Sequence, residues 1–342
     1  MNSLTDLPLE ISQIIFDKLD FKSQIIFQQQ CKFFYEGLRI HDLYHIKKKY
    51  KRKLNDNILK KFCYIRYLDI SKNSDITDDG IKHLNLHTLN AYETNITNEG
   101  IKHMNLYSLN ISHNHFITDI GIKHMKLHGL NTSFGLITDE GIKYMKLDSL
   151  TVFQNTKITD KGIRHMNLRT LMVSNDNKIT DEGIKHMNLR TLCVHKNDKI
   201  TDDGIKNMNL HTLYISDNNK ITDNGIKHMK LRSLFATHNT SITNEGIKHM
   251  NLHTLIVPYN EKITDEGIKH MNLHTLDISY NEKITDLGIK NMFLHTLRIE
   301  GNNKITNEGI RHMNLYSLDI SNNKTITKEG IKHMNLHKLI KN

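Results

Sequence analysis

The chain of 342 residues has no tryptophan, two prolines (Pro8 and Pro258), two alanines (Ala91 and Ala236) and three cysteines. The cysteines, Cys31, Cys63 and Cys193, are odd in number and lack metal-type spacing, which argues against both a disulfide framework and a zinc site. No run of 18 apolar residues occurs, so no transmembrane helix is expected. The first ten residues lack a basic segment followed by an apolar one, so no signal peptide is expected either. Together these absences predict an intracellular protein, cytoplasmic or nuclear. Gly-x-Gly-x-x-Gly and Gly-Lys-(Ser/Thr) are missing, which removes a phosphate-cradling loop. Scarce alanine and proline beside abundant Ile, Asn and Lys suit coding from an A/T-rich genome, which bears on origin and not on mechanism.

What the chain has in quantity is one motif. Ile-Thr-x-x-Gly-Ile-(Lys/Arg) occurs thirteen times, from residues 76–82 to residues 326–332, with its glycines 20 or 21 residues apart. A unit that short cannot bury its own apolar face, so stability must come from stacking neighbours. In residues 273–292, Leu276 and Ile278 alternate across Asp277, the pattern of a short half-buried strand. A polar turn through Asn281 leads to Thr285, an expected N-cap, with Asp286 in the first helical turn where the helix dipole favours an acid. Ile289 and Met292 are expected to face inward from a short helix, with Lys290 near its C-terminal end.

The unit resembles the leucine-rich repeat, Leu-x-x-Leu-x-Leu-x-x-Asn-x-x-Ile, over residues 65–339. That resemblance implies parallel strands on a concave face and short helices on a convex one. It also implies a ladder of asparagines, from Asn73 to Asn323, satisfying buried backbone groups; Thr94, Gly135 and Asp176 interrupt it. The repeated glycine costs about 1 kcal/mol inside a helix, so its retention predicts close inter-repeat packing that a side chain would obstruct.

Twenty-three histidines include pairs four apart, such as His83/His87, His249/His253 and His270/His274. The second member of each pair falls where the next strand begins, and no His-Glu-x-x-His occurs. These are read as solvated surface positions, with no metal site and no catalytic constellation. Stacked repeats place like residues about 5 Å apart, so protonating a histidine row should weaken the fold as pH falls.

The N-terminal segment does not repeat. Residues 1–64 carry 12 Lys/Arg and 7 Asp/Glu, and residues 47–53 form the densest basic run of a chain with net charge +10. Ile46, Tyr50 and Leu54 at i, i+4 and i+8 suggest the solvated face of a connecting helix, with a nuclear-import or nucleic-acid patch as the alternative. Ile11, Ile14, Ile15 and Leu19 follow a helical stripe after Pro8. Apolar groups at Ile25, Ile26 and Phe27, and at Phe33 and Phe34, suggest two further helices. Leu7-Pro8-x-Glu10-Ile11, Ile15-Phe16, Leu19 and Cys31-Lys32-x-Phe34-Tyr35 resemble an F-box. Gln30 stands where that family usually has valine, and Phe34 where tryptophan is common. The resemblance implies a Skp-type adaptor and the cullin ligase core as partners, with adaptor contacts at Leu7, Pro8, Ile11, Ile15 and Leu19.

The whole chain resembles F-box/leucine-rich-repeat proteins, and its composition resembles those of giant DNA viruses of amoebae. The expected architecture is an α/β leucine-rich-repeat solenoid behind a small all-α domain: residues 1–45 F-box-like, 46–64 a basic helical linker or cap, 65–342 repeats. Identical repeats cannot discriminate ligands, so specificity is expected where they differ. Between the two strand apolar residues, five consecutive units carry Met172, Cys193, Tyr214, Phe235 and Ile256; Tyr259 and Tyr280 lie just beyond the strands. An exposed apolar stripe of this kind would hold a target protein. The expected role is a non-enzymatic substrate receptor of a cullin-RING (SCF-type) ubiquitin ligase, without cofactor. The alternative is a ligase-independent scaffold or adaptor decoy. Nucleic acid and membrane are not expected partners, since the convex lysines have acids close by.

Overall fold

The computed structural model describes residues 7–174 and 176–341. It divides into two compact units, Met1–Leu147 and Asp148–Asn342.

The first unit begins with three short helices, α1 (Leu9–Asp17), α2 (Phe21–Gln28) and α3 (Lys32–Gly37). Pro8 stands at the start of α1, where its missing N–H costs nothing, and the Asp20 carboxylate caps α2 by accepting from Ser23 N at 3.1 Å. Phe16, Phe34 and Leu38 are buried. The Phe27 ring lies 6.1 Å from that of Phe16 and 4.6 Å from that of Phe34. So small a core is supplemented by amides: Gln13 exchanges two hydrogen bonds with the Arg39 backbone, Gln24 donates to Phe16 O, and Gln28 donates to Leu38 O. Strand β1 (Asp42–Leu43) then pairs in parallel with β2 (Tyr67–Asp69), so the helical segment feeds directly into the sheet.

Between those strands lie α4 (Lys48–Lys51) and α5 (Asp56–Leu59). Ile46 and Leu54 are buried and Tyr50 is half-buried, while Lys47, Lys48 and Lys49 point outward. The basic run is thus the solvated side of a connecting turn of helix. Its Lys51 pairs with Asp69. Three further parallel strands, Thr88–Asn90, Ser108–Asn110 and Gly129–Asn131, complete the described sheet of this unit in unbroken register.

The second unit continues the pattern from the strand Ser149–Thr151 to Lys338–Ile340, all parallel and each paired with its neighbour in sequence. Repeats before the last bury corresponding positions: Leu213, Ile215, Ile221 and Ile226 are fully enclosed and Met229 is 4% exposed, whereas Ile331 and Met334 of the last repeat are half-buried. The helix is a single turn, shorter than the sequence pattern suggests. It ends at the isoleucine (Asp286–Ile289), and Met292 reaches the core from the turn that follows, its N–H bonded to Ile289 O at 2.9 Å.

Two side-chain ladders join the repeats. In one, each buried asparagine spends both ends of its amide. Asn260 donates to Asn239 O at 2.7 Å and Ile242 O at 3.0 Å, and accepts from Lys262 N and Ile263 N, both at 2.9 Å. Thr94 interrupts this ladder, since its hydroxyl turns to Ala91 O of its own repeat at 2.9 Å, and Asn114 resumes it by reaching Thr94 O at 3.1 Å and Ile96 O at 2.9 Å. Asp176 does not interrupt it, since Asn177 one residue later takes the place, donating to Val152 O and Asn155 O at 2.7 Å each.

The second ladder was not visible in the sequence. The first helical residue of one repeat accepts from the N-cap threonine of the next, as Asp181 does from Thr201 N at 2.8 Å and Thr201 Oγ1 at 2.7 Å. This explains the glycine. A Cβ on Gly204 would stand 2.2 Å from Asp181 Oδ1, so the side chain would displace the carboxylate that bridges the repeats.

Candidate functional site

On α1 the burial is the reverse of what a helix in a globular core shows. Its enclosed residues are Ser12 and Phe16, whereas Leu9, Ile11, Ile14 and Ile15 are 37%, 44%, 59% and 39% exposed. Pro8 is exposed as well, and Leu7 and Leu19 are half-buried. The five positions expected to contact an adaptor therefore gather at one helix and its two ends. Leu9 and Ile14 of α1, and Ile26 of α2 at 47% exposure, are further exposed apolar side chains of this segment that lie outside those five positions. The signal for them was present, as α1 has more apolar positions than its one buried phenylalanine requires.

In the second unit the variable strand residues form one row across the sheet. Register pairs Met172 with Cys193, Cys193 with Tyr214, Tyr214 with Phe235, and Phe235 with Ile256. The row is recessed rather than freely exposed. Met172, Tyr214, Phe235 and Ile256 are half-buried, and Cys193 is buried at 8% exposure, because side chains one strand apart cover each other's flanks. The Tyr214 and Phe235 rings stack at 4.1 Å and 16°. Burial pushes the Cys193 thiol above its ordinary pKa, the opposite of what a nucleophilic thiolate needs.

The row turns polar at Asp277, Arg298 and Asp319. There the carboxylate of Asp277 accepts from Ser279 N at 3.1 Å and Oγ at 2.7 Å, closing the turn after the strand. Burial raises its pKa, and those two bonds oppose the rise. The apolar units have no side chain able to make this turn bond. Two of them instead extend their strands to five residues, Thr170–Ser174 and Thr191–His195.

Past the strand ends runs a second row, in left-handed backbone conformation. His238, Tyr259 and Tyr280 have φ of 53°, 60° and 55°, and their rings stack at 4.2 and 4.6 Å. Tyr259 is 43% exposed, whereas Tyr280 is half-buried and donates from its hydroxyl to Glu300 Oε1 at 2.7 Å. Gly301 (φ 64°) makes room for it: a Cβ there would meet the Tyr280 ring at 2.5 Å.

Before the strands runs a third row, where the second histidine of each pair was expected; its arginines were not singled out as a site. It presents Arg169, Arg190, His211 and Arg232, then His253, His274 and His295, all exposed. The last three rings stack at 4.7 and 4.6 Å, and the stack continues through Tyr316 to His337. The second histidine of each i, i+4 pair thus lies in a ring stack and the first at a helix end. Among the described residues no group of three or more His, Cys, Asp or Glu is arranged to hold a metal ion.

Comparison with known proteins finds two family models along the chain. Residues 4–46 match the F-box domain model. Residues 63–84, 102–125, 206–230, 269–292, 290–313 and 311–333 match the Leucine Rich repeat model. The chain combines an F-box domain with leucine-rich repeats. Neither matched family is a catalytic one. No curated protein matches the chain. Among solved structures, it is similar in fold to the crystal structure of the Rad7 and Elc1 complex in yeast, with TM-score 0.58 and 18% identity over 99% of this chain and 98% of that one. It is also similar to a chain of the TLR13–ssRNA13 complex, with TM-score 0.52 and 19% identity over 78% of this chain and 44% of that one. Among the described residues no helix is long and apolar enough to cross a membrane.

Proposed function

We propose that the chain is the target-recognition subunit of a cullin-RING (SCF-type) ubiquitin ligase. The carrying observation is the outward apolar face of α1, where Ile11 and Ile15 stand exposed while Ser12 is enclosed. Aliphatic surface of that kind on a three-helix segment is stabilised by covering it, at about 1.5–3 kcal/mol for each such side chain fully buried. In this reading a Skp-type adaptor covers it, with contacts at Leu7, Pro8, Ile11, Ile15 and Leu19. Residues 1–45 are the adaptor-binding part, 46–64 the connection, and 65–342 the repeats that hold a target.

The target surface in this reading is the sheet face of the second unit, built on Met172, Cys193, Tyr214, Phe235 and Ile256 with Tyr259 and Tyr280 beside them. The chain itself performs no chemistry. Ubiquitin is transferred by other subunits, and the receptor contributes proximity, the entropic part of rate enhancement. The similarity to a fold crystallised within the Rad7 and Elc1 complex supports a partner-bound existence for such an architecture.

The test is reconstitution. The full chain, purified with a Skp-type adaptor, cullin and RING subunit, should elute as one assembly and direct ubiquitin onto a protein held by the repeats. An assembly that contains the adaptor but no cullin, with captured protein left unmodified, contradicts the ligase role and leaves a scaffold or decoy.

A further inference from the structure

The arginines before the strands set the charge of the target surface. On the helix side of the second unit, four lysines are paired within their own repeats, Lys185 with Glu182, Lys206 with Asp203, Lys248 with Glu245 and Lys269 with Glu266, while Lys227 meets the neutral Asn224 instead. Arg298, inside the variable row, has Asp277 at 3.9 Å. Arg169, Arg190 and Arg232 have no ion-pair partner among the described residues, and all three are exposed. Within this unit the row opens at Asp148, one strand before Arg169; from Arg169 to His337 it contains no further acid, and the next row inward is hydroxyl-bearing from Thr170 through Ser317.

Three rows therefore run side by side across the strands: cationic, hydroxyl, and apolar. Cationic and apolar rows are three residues apart along each strand, about 10 Å at the strand rise. An extended peptide lying over the hydroxyl row would send alternate side chains to either side of its backbone. Arg169 to Arg232 covers three strand spacings, about 14 Å, close to the span of five extended residues. Arginine's planar fork also suits carboxylates better than the lysines used on the helix side.

We infer that this face takes an extended protein segment in which acidic and apolar residues alternate, its carboxylates on Arg169, Arg190 and Arg232 and its apolar side chains on the row from Met172 to Ile256. The inference rests on the sheet face being the target-holding surface and adds the chemistry of the target. Stacking favours a peptide over a single-stranded nucleic acid. Tyr214 and Phe235 cover each other's inner faces at 4.1 Å, and the residues that flank the pair on the neighbouring strands, Cys193 and Ile256, are not aromatic. Base recognition by aromatic platforms needs a free face.

The test uses the full chain and fluorescein-labelled probes in an anisotropy titration. The probes are a twelve-residue peptide alternating Glu with Leu or Val, its counterpart with Lys for Glu, the acidic peptide with its acids in one block, and a U12 oligonucleotide. The alternating acidic peptide should bind at least about tenfold more tightly than the others, a difference of about 1.4 kcal/mol. Arg190→Glu/Arg232→Glu should weaken it by a further tenfold or more and improve the Lys peptide. Arg190→Gln/Arg232→Gln should give an intermediate loss, and circular dichroism should show all variants folded. Preference for the Lys peptide or for U12, equal binding of the block peptide, or no peptide binding at all would overturn the inference. Adaptor binding, measured on the same preparations, separates the outcomes. Peptide binding lost with adaptor binding kept refutes only the target chemistry. Peptide binding kept with adaptor binding absent refutes only the ligase reading.

Discussion

At the scale of single residues, the frame is governed by one exchange between neighbouring repeats. Where the first helical residue is aspartate, the threonine hydroxyl of the next repeat donates to it and keeps a lone pair for its own helix: Thr201 donates to Asp181 and accepts from Asp203 N at 3.2 Å. Where that residue is asparagine, the direction reverses. Asn244 donates to Thr264 Oγ1 at 2.9 Å, and Thr264 makes no capping bond; Asn307 and Thr327 repeat the arrangement. Asn244→Asp should restore the cap and place a charge at the positive end of the helix, raising stability by about 1 kcal/mol. Urea unfolding checks it, and an unchanged or lower midpoint refutes the exchange. The repeated glycine was legible in the sequence as a packing requirement. That its neighbour is a carboxylate was not, because the bridge joins residues about one repeat apart and each is individually an ordinary helix-start residue.

At the scale of the element, the histidine stack links the fold to pH. Desolvation within the ring stack holds the imidazole of His274 below its ordinary pKa, although the side chain is exposed, and the flanking His253 and His295 push the same way. A histidine with a depressed pKa in the folded state binds fewer protons there than when unfolded. Its contribution to stability is therefore present above the unfolded value, about 6.5, and is lost as pH falls below it. The thermal midpoint should drop between about pH 7.5 and pH 5.5, and His274→Gln should flatten that drop. Superimposable wild-type curves at the two pH values would contradict it. The sequence made a histidine row foreseeable from period alone. The second histidine of each pair falls on the strand side, where the sequence placed it. That these rings stack from one strand to the next depends on side-chain geometry that the period does not carry.

The same scale shows what pattern reading gets right and what it loses. Strands, turns and register recur with the 20- to 21-residue period and are set by local spacing, so they were readable from Leu, Ile and Asn positions. Exposure was not. Met172, Tyr214, Phe235 and Ile256 look like a free stripe in sequence but shield one another at strand spacing, and Cys193 is covered. The arginine row does not show in the motif, because Arg169, Arg190 and Arg232 stand where other repeats carry histidine. Tyr214→Ser/Phe235→Ser should remove target capture while leaving the fold intact, since both side chains are half-buried on the sheet face and the repeat core lies on the other side of the strand. Unchanged recovery of target in a pull-down, with a wild-type unfolding profile, places the site elsewhere.

At the scale of the whole molecule, regular and irregular parts have different duties. The repeats supply a stack in which each unit contacts its neighbours, so stability is shared and tolerant of change on the sheet face. The short N-terminal segment instead has a core of a few aromatic rings, tied by glutamine amides, and turns four aliphatic side chains of α1 outward. That arrangement gives the account its central claim, that the face is built to be covered by an adaptor. Isothermal titration of a Skp-type adaptor into the full chain and into Ile11→Glu/Ile15→Glu tests it most directly. The account predicts saturable binding to the wild type and a loss of at least about 100-fold in the variant, equivalent to about 2.7 kcal/mol, with the thermal midpoint unchanged because both positions are exposed. Equal affinity for wild type and variant, or no binding to either, would contradict it.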